Sequence, residues 1–543
     1  MIRKLIIFCL AGSGLMGNSL FAQILNNTGV HGNFELNAQY YDPDSAIGAP
    51  VVPEKMLSNG FANILITNGR FTAGIRYESY LNALQGFDPR YTGSGITYRY
   101  ATYTSDELEV TVGNFYDQFG NGLVFRSYEE RSLGYDNAMD GIRLRYNPLA
   151  GVYLKGFIGK QRSYFSVGPG IVRGIDGEFN TAEIFKSLAD KKTRVILGGS
   201  FVSKFQKDDD PLLNLPENVG AYAARINLLH GGFSINAEYA YKYNDPSTVN
   251  NLIYKYGDAI YVQLAYAAKG LGLTLSGKRI DNMNFRSDRS AAVQDLNINF
   301  LPALPKTQTY RLATVYPYAT QPNGEEGINA ELFYTFKAKT PLGGRYGTGI
   351  SINTSAINSI FTSPASNDTL GYETDYLKLG DVTYYRDLNV EITKKVNQSW
   401  KLILTYIFQE YNKDVVEGKP GVQNVHAHIG IADITYKINT KNSIRAELQH
   451  LATKQDHQDW AMAMLEYTIS PHWFFSVYDE YNYGNEIKDD RIHFLNAALG
   501  YTRKANRITL GYGRQRAGLL CVGGVCRFVP ASNGVTLSIT STF

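Results

Sequence analysis

The sequence closes with GVTLSITSTF, residues 534–543, in which apolar and hydroxyl side chains alternate. A period of two places successive side chains on opposite faces of a β-strand. The stretch therefore predicts a strand with one apolar face and one polar face. The apolar face carries Val535, Leu537, Ile539 and Phe543, and the polar face carries Thr536, Ser538, Thr540 and Thr542.

The same alternation recurs along the chain. In RFTAGIRYES, residues 70–79, Phe71 and Ile75 oppose Arg76 and Glu78. Polar faces with charges of both signs fit an aqueous lumen, and strands of about ten residues fit a tilted crossing of a bilayer. About 24 strands are predicted, within a range of roughly 22–26, because bacterial single-chain barrels have even strand numbers. Further examples are NFELNAQY (33–40), FSINAEYAYKYN (233–244), GINAELFYTF (327–336) and SIRAELQ (443–449).

Composition favours a membrane barrel over a soluble β-protein. The chain has 40 tyrosines and 27 phenylalanines among 543 residues. After the first 22 residues, no apolar run is long enough for a membrane helix. A barrel needs only alternate residues apolar, with aromatic rings at both interfaces. The predicted fold class is therefore all-β, a transmembrane antiparallel β-barrel in contact with outer-membrane lipid. A secreted soluble all-β protein is the alternative, because alternation also suits a sheet that covers a shared core.

The first residues resemble a secretory signal peptide. Arg3 and Lys4 precede an apolar run to about Leu15, and Ala22 precedes the expected cut. The expected division is a signal peptide over residues 1–22 and one barrel over residues 23–543. The first strand pattern begins by about His31, which leaves no room for the N-terminal plug domain of a TonB-dependent transporter. Without the leader, 51 basic residues face 50 acidic ones, so no basic footprint for nucleic acid is present.

The terminal strand resembles the C-terminal signature of bacterial outer-membrane barrels. In that signature an alternating last strand ends on an aromatic residue, here Phe543. The resemblance implies that the barrel-assembly machinery recognises this strand through Leu537, Ile539 and Phe543. It also implies an outer-membrane location.

Residues 113–146, GNFYDQFGNGLVFRSYEERSLGYDNAMDGIRLRY, lie between two predicted strands. The stretch is aromatic and charged, unlike an ordinary Ser- and Pro-rich surface loop, although a surface loop is the alternative. Irregular backbone inside a barrel is tolerated because it meets water or protein instead of lipid. We therefore expect the segment from Gly120 to Asp140 to fold inward, so that it part-fills and constricts the lumen. The expected constriction residues are Arg126, Glu129, Glu130, Arg131, Asp140, Arg143 and Arg145.

Residues 521–526, CVGGVC, predict a disulfide-bonded hairpin. The two central glycines suit a two-residue turn that needs positive φ. Val522 would then pair with Val525, and Cys521 would face Cys526 in an oxidising compartment. If the C-terminus lies in the periplasm, this hairpin lies outside the cell. We expect a structural role, with a redox function as the weaker alternative.

Catalytic and metal-binding signals are weak. His426 and His428 share one face of a strand, and His450 lies on a candidate neighbour, but such histidines more often line a polar surface. No G-x-S-x-G motif marks a nucleophile. We therefore expect no enzyme activity, no metal and no cofactor.

Two stretches, GNFYDQFGNGL…YEERSLGYDNAMDGIR and YPYATQPNGEEGINAELFYTF (316–336), resemble an uncharacterised family of large Bacteroidota outer-membrane barrels. The resemblance covers most of the mature chain and implies no activity. The expected function is a porin-like channel or transporter with an internally constricted lumen. The alternatives are a sealed structural or accessory barrel of an envelope machine, such as type IX secretion or surface assembly, with envelope proteins as partners, and lastly an outer-membrane enzyme.

Overall fold

A computed structural model describes residues 28–543. The predicted signal peptide, residues 1–22, lies outside the described residues. Within residues 28–543, no helix is long and apolar enough to cross a membrane. The helices are α1 (Thr181–Ile184) and α2 (Lys413–Glu417), with short 3-10 turns at Ser45–Ile47, Pro89–Tyr91, Arg131–Leu133, Lys186–Leu188, Thr248–Asn250, Leu312–Thr314, Asp368–Leu370 and Lys488–Asp490.

The described residues form thirty strands, almost all joined as antiparallel neighbours along the chain. They are β1 (Thr28–Tyr41), β2 (Met56–Asn68), β3 (Phe71–Leu81), β4 (Gly93–Thr104), β5 (Leu108–Phe115), β6 (Asp117–Gln118), β7 (Arg126–Ser127), β8 (Glu129–Glu130), β9 (Tyr135–Asp136), β10 (Met139–Leu149), β11 (Val152–Ser163), β12 (Ser166–Asn180), β13 (Thr193–Phe205), β14 (Asn218–His230), β15 (Phe233–Lys242), β16 (Gly257–Ala268), β17 (Leu271–Asp281), β18 (Gly324–Phe336), β19 (Thr348–Pro364), β20 (Tyr372–Lys395), β21 (Trp400–Tyr411), β22 (Val425–Lys437), β23 (Asn442–Ala452), β24 (Trp460–Ile469), β25 (Trp473–Tyr481), β26 (His493–Arg503), β27 (Asn506–Gln515), β28 (Gly518–Val522), β29 (Val525–Val529) and β30 (Ser532–Thr542).

Twenty-four of these strands form one closed antiparallel sheet. Closure is made by β1 and β30, with Tyr40 opposite Val535 and Leu36 opposite Ile539. Strands β6 to β9, β28 and β29 form three separate two-stranded sheets. The predicted all-β antiparallel barrel of about 24 strands is therefore confirmed.

The alternation in the sequence sorts side chains between the two faces of the barrel wall. On β3, Phe71 and Ile75 are exposed on the outside, whereas Arg76 and Glu78 are buried on the inside. On β15, Phe233 and Tyr239 are exposed, and Glu238 is buried. An apolar exterior around a charged interior is typical of a barrel that faces lipid outside and water or protein inside.

Exposed aromatic rings cluster toward both ends of the barrel wall. Phe71, Phe233, Trp400 and Trp473 are each the first residue of a strand that leaves a turn at one end. Together with a second row near the other end, they match the aromatic girdles at the interfaces of a membrane barrel. The row nearer the other end includes the exposed rings of Tyr222, Tyr239, Tyr243 and Tyr256.

The two ends of the barrel differ in loop length. The end that carries the chain terminus has tight connections, such as residues 69–70 and 231–232. The opposite end carries the longer connections. Three of them form contacts with the inner wall and with one another, and we call them the first (116–138), second (282–323) and third (516–531) lumenal segments.

Candidate functional site

The first lumenal segment is held to the inner wall by an apolar contact and a polar contact. The ring of Phe125 stacks on the ring of Phe157, an inward-facing residue of β11, with centroids 4.2 Å apart. The backbone N–H of Asn121 donates to Glu238 Oε2 at 2.6 Å, and its side-chain Nδ2 donates to the same oxygen at 2.8 Å. Residues far apart in the sequence thus fix this segment inside the barrel.

Gly120 lets the backbone approach Glu238 closely. Its φ is +51°, and a Cβ atom placed there would lie 2.4 Å from Glu238 Oε2. Glycine alone combines this left-handed backbone with the missing side chain. The GNG stretch at residues 120–122 is therefore the contact site of the segment on β15.

An ion cluster joins the first lumenal segment to β3 and β11. Arg162 binds Glu78 at 2.6 Å and Asp136 at 2.5 Å, and Arg76 binds Glu78 at 2.7 Å and Glu129 at 3.0 Å. Arg76 also contacts Asp136. Glu129 and Asp136 belong to the first segment, so the cluster ties that segment to two strands of the wall. We call these five residues the arginine cluster.

The carboxylates of the arginine cluster are spaced closely enough to hold a metal ion. Ligand oxygens of Glu78, Glu129 and Asp136 all lie within 4.8 Å of one another, and no other such group occurs among the described residues. Arg76 and Arg162, however, already bind these carboxylates. Two guanidinium charges compensate most of the three negative charges, so the geometry gives no reason to assign a metal.

Three predicted constriction residues lie around this cluster. Arg131 binds Glu129 at 2.9 Å and Glu35 of β1 at 2.6 Å. Glu130 instead caps the following turn, accepting from the backbone N–H of Ser132 at 3.1 Å. The structure thus places Glu129 and Arg131 in contact with each other, whereas Glu130 caps a local turn.

Arg126 lies between aromatic rings and makes no ion pair with any residue in 28–543. Its guanidinium lies 4.3 Å from the centre of the Tyr128 ring and 4.1 Å from that of Phe300. Such stacking suits a planar, weakly hydrated cation. Because Phe300 belongs to the second lumenal segment, Arg126 links the first two segments.

A second ion cluster surrounds Asp117 at the start of the first segment. Arg145 donates to Asp117 Oδ2 at 2.9 Å, and Lys155 donates to Oδ1 at 3.2 Å. Arg143 binds Glu109 at 2.6 Å and lies 3.7 Å from Asp117. Burial by itself would raise the pKa of Asp117, but the nearby Lys155 and Arg145 hold that pKa below its usual range.

Asp140 stands apart from the other predicted constriction residues. It lies on the face of β10 that carries the exposed Ile142 and Leu144, and it binds the largely exposed Arg99 at 3.1 Å. Arg143 and Arg145 lie on the opposite face of the same strand. Asp140 lies two positions before the apolar Ile142, and residues two positions apart share a face of a strand. The alternation of the sequence therefore already indicated that Asp140 faces outward.

Several site residues were not named from the sequence. Arg76, Glu78 and Glu238 lie on predicted polar faces but, apart from the Arg76–Glu78 pair, their partners described above lie in the first segment or on β11, far away in the sequence. Asp117 and Arg162 carried no distinguishing local signal. Alternation predicts the face of a residue, whereas pairing across a lumen depends on closure of the barrel.

The second and third segments complete an interior network. The backbone N–H of Arg126 donates to Ile298 O at 2.9 Å, and that of Phe300 donates to Gly122 O at 2.9 Å. The N–H of Thr320 donates to Gly524 O at 3.0 Å. All three segments are therefore joined by backbone hydrogen bonds.

The third segment carries the predicted hairpin. Cys521 and Cys526 form a disulfide, with Val522 opposite Val525 and positive φ at Gly523 and Gly524. The hairpin packs on the second segment: a Cβ at Gly524 would lie 2.4 Å from Thr320 Oγ1. The disulfide thus stabilises a hairpin that contacts another lumenal segment.

The histidines considered as metal ligands lie on the outer face. His426 and His428 are exposed on β22, and His450 lies on the neighbouring β23. His428 Nδ1 is 2.8 Å from the hydroxyl of Tyr406, and His450 Nε2 is 2.6 Å from that of Tyr483. These histidines therefore take part in a polar and aromatic rim.

A protein-family model described as a family of unknown function (DUF6029) matches residues 1–543. The chain belongs to this family. Its assignment to an uncharacterised family is thereby confirmed, and the Bacteroidota source stays a prediction. No curated protein matches the sequence.

Solved structures similar to the chain include two from Pseudomonas aeruginosa and one from Acinetobacter baumannii. The siderophore receptor PirA from Pseudomonas aeruginosa is 11% identical, with a TM-score of 0.41 over 95% of this chain and 80% of that one. The outer membrane protein opdK from Pseudomonas aeruginosa is 8% identical, with a TM-score of 0.35 over 95% and 98%. OccAB3 from Acinetobacter baumannii is 9% identical, with a TM-score of 0.37 over 95% and 99%.

Proposed function

We propose that the protein is an outer-membrane β-barrel that works as a porin-like channel or transporter, with passage limited by the three lumenal segments. The observation that carries this proposal is the combination of a closed 24-stranded wall, apolar outside and charged inside, with three loops that enter from one end.

The wall suits a lipid surrounding for a physical reason. Lipid offers no partner for backbone N–H and C=O groups, so a spanning sheet must have no open edge. Pairing of β1 with β30 meets that requirement. Long loops lie outside the cell and short turns in the periplasm in bacterial barrels, which orients the three segments toward the exterior.

The segments supply the constriction that such a wide barrel needs. A porin of about 16 to 18 strands already leaves an aqueous channel, and the larger transporters of about 22 strands have a plugged lumen. Here the first segment is anchored to the wall by the arginine cluster and by Asp117. Solutes would pass between these segments and the wall, in a path lined by charges of both signs.

Assembly of the barrel is proposed to depend on the last strand. Leu537 and Ile539 lie on the outer face of β30, and the exposed ring of Phe543 covers Gly32, where a Cβ would lie 2.4 Å from Phe543 Cζ. We expect the barrel-assembly machinery to bind this apolar face before β30 pairs with β1.

Uptake by proteoliposomes tests the channel function. Swelling in neutral sugars of increasing size should give a low size limit for the natural protein and a higher limit after deletion of residues 122–138. Deletion of residues 208–213, in an exposed connection between β13 and β14 at the same end, is the matched control and should leave the limit unchanged. Equal impermeability of all three proteins would refute the channel.

A sealed barrel in an envelope assembly is the second candidate. Two clusters of buried apolar side chains lie where the segments meet the inner wall, around Phe125 and around Tyr316. Close apolar packing favours a filled interior over a water-filled path. This candidate predicts no swelling with any variant and stable co-purification of envelope proteins in mild detergent.

A further inference from the structure

A cavity of about 240 Å³ lies between the second and third lumenal segments and the inner wall. Three cationic side chains line it, and no carboxylate is among the described residues that do so. The lining of the cavity is therefore positively charged. The cations are Lys306 and Arg311 of the second segment and Arg516 of the third.

The two arginines share a single carboxylate behind the cavity. Glu480, fully buried on β25, accepts from Arg516 Nε at 3.2 Å and from Arg311 Nε. Two guanidiniums against one carboxylate leave a positive charge, and planar guanidiniums bind carboxylate groups through paired hydrogen bonds. Lys306 adds a cation whose nearest acid, Glu391, is 3.9 Å away.

The remaining lining favours an organic ligand. Pro305, Leu519 and Leu520 provide apolar surface beside the cations. A mixed lining of this kind fits a solute with an apolar body and a few polar groups.

We propose that this cavity binds a small organic carboxylate. The carboxylate lies against Arg311 and Arg516, with Lys306 adding positive charge beside it. The proposal rests on the proposed function in that such a molecule would be the solute selected by the lumen.

Calorimetric titration of the purified full barrel in detergent tests the binding site without requiring transport. The probe is 4-hydroxyphenylacetate, and its neutral amide, 4-hydroxyphenylacetamide, is the matched control ligand. We expect the acid to bind at least about tenfold more tightly than the amide, since a charge-assisted hydrogen bond contributes that much. Equal affinity for the two, or no binding of the acid at millimolar concentration, would overturn the proposal.

Variants locate the binding site. Arg516→Gln should weaken binding of the acid about tenfold, and Lys306→Gln, a half-buried position that folding tolerates, should weaken it to a smaller extent. Arg514→Gln, two positions away and paired with Asp44 outside the cavity, should bind as the natural protein does. Unchanged affinity in both Arg516→Gln and Lys306→Gln would also overturn the proposal.

The two proposals fail separately. Binding of the acid by a protein that passes no solute would support the cavity and refute the channel. Solute passage without binding of the acid would support the channel and refute the cavity.

Discussion

Arg162 shows how single buried charges hold the interior together. Its guanidinium is nearly inaccessible and contacts Glu78 of the wall and Asp136 of the first lumenal segment. Loss of one partner from a buried ion pair leaves the other charge unpaired, which costs more than the pair itself contributes. The arginine cluster should therefore be the most sensitive polar group in the barrel.

Arg162→Met should lower the free energy of unfolding by about 3–5 kcal/mol. The measurement is the urea midpoint at which the folded species disappears in detergent. Arg90→Met is the control, because Arg90 is more than half exposed although it binds Asp88 and Asp295, and its loss should cost less than about 1 kcal/mol. Equal midpoints for the two variants would contradict the role of the cluster.

Asp456 gives a second prediction, on pH. Lys413 donates to its Oδ1 at 2.6 Å, and Tyr316 of the second lumenal segment donates to Oδ2 at 3.2 Å. Burial would raise the pKa of Asp456, but Lys413, His457 and Tyr316 hold it below its usual value. A carboxyl group with a lowered folded-state pKa stabilises above its unfolded pKa, and this stability is lost as pH falls through the folded pKa.

Hydrogen exchange in residues 312–318 and 413–417 should therefore rise as pH falls below about 4, after correction for the intrinsic rate. Asp456→Asn should remove this pH step and raise exchange at neutral pH. Asparagine suits the positive φ of 57° at this position, so the backbone is preserved. A pH step that persists in the variant would assign the effect to another group.

At the scale of elements, alternation predicted the wall well. The patterns around Phe71, Phe233 and Ile444 coincide with β3, β15 and β23. The alternation is lost over residues 361–381. Most of them extend β19 and β20 beyond the barrel, where Leu377 is exposed and neither face meets lipid, so the period of two disappears.

The contact of the first lumenal segment with β15 can be disturbed directly by a substitution at Gly120. Gly120→Val should raise hydrogen exchange across residues 117–127, because the new side chain would meet Glu238. Gly231→Val is the matched control: φ is +59° there, but no atom of the described part of the chain lies within 4 Å of an added Cβ. Both variants carry the strain of a left-handed backbone, about 1–2 kcal/mol, so only the clash distinguishes them. Equal exchange in residues 117–127 of the two variants would argue against this contact between the first segment and β15.

At the scale of the whole molecule, the strand number and closure followed from the sequence because an open edge is not tolerated in lipid. The sequence also predicted an inward-folded segment from Gly120 to Asp140, within residues 113–146. It did not indicate that the second and third segments join the first, since contacts such as Thr320 with Gly524 link positions about 200 residues apart. Such pairings depend on the three-dimensional path of the chain and leave no local pattern.

Single-channel recording in planar bilayers tests the central claim most directly. The natural protein should give small conductance steps, and the variant that lacks residues 122–138 should give larger ones, because the first lumenal segment no longer narrows the path. Absence of steps in both proteins, each shown to be folded by its shift on gels before and after heating, would contradict a channel limited by lumenal segments.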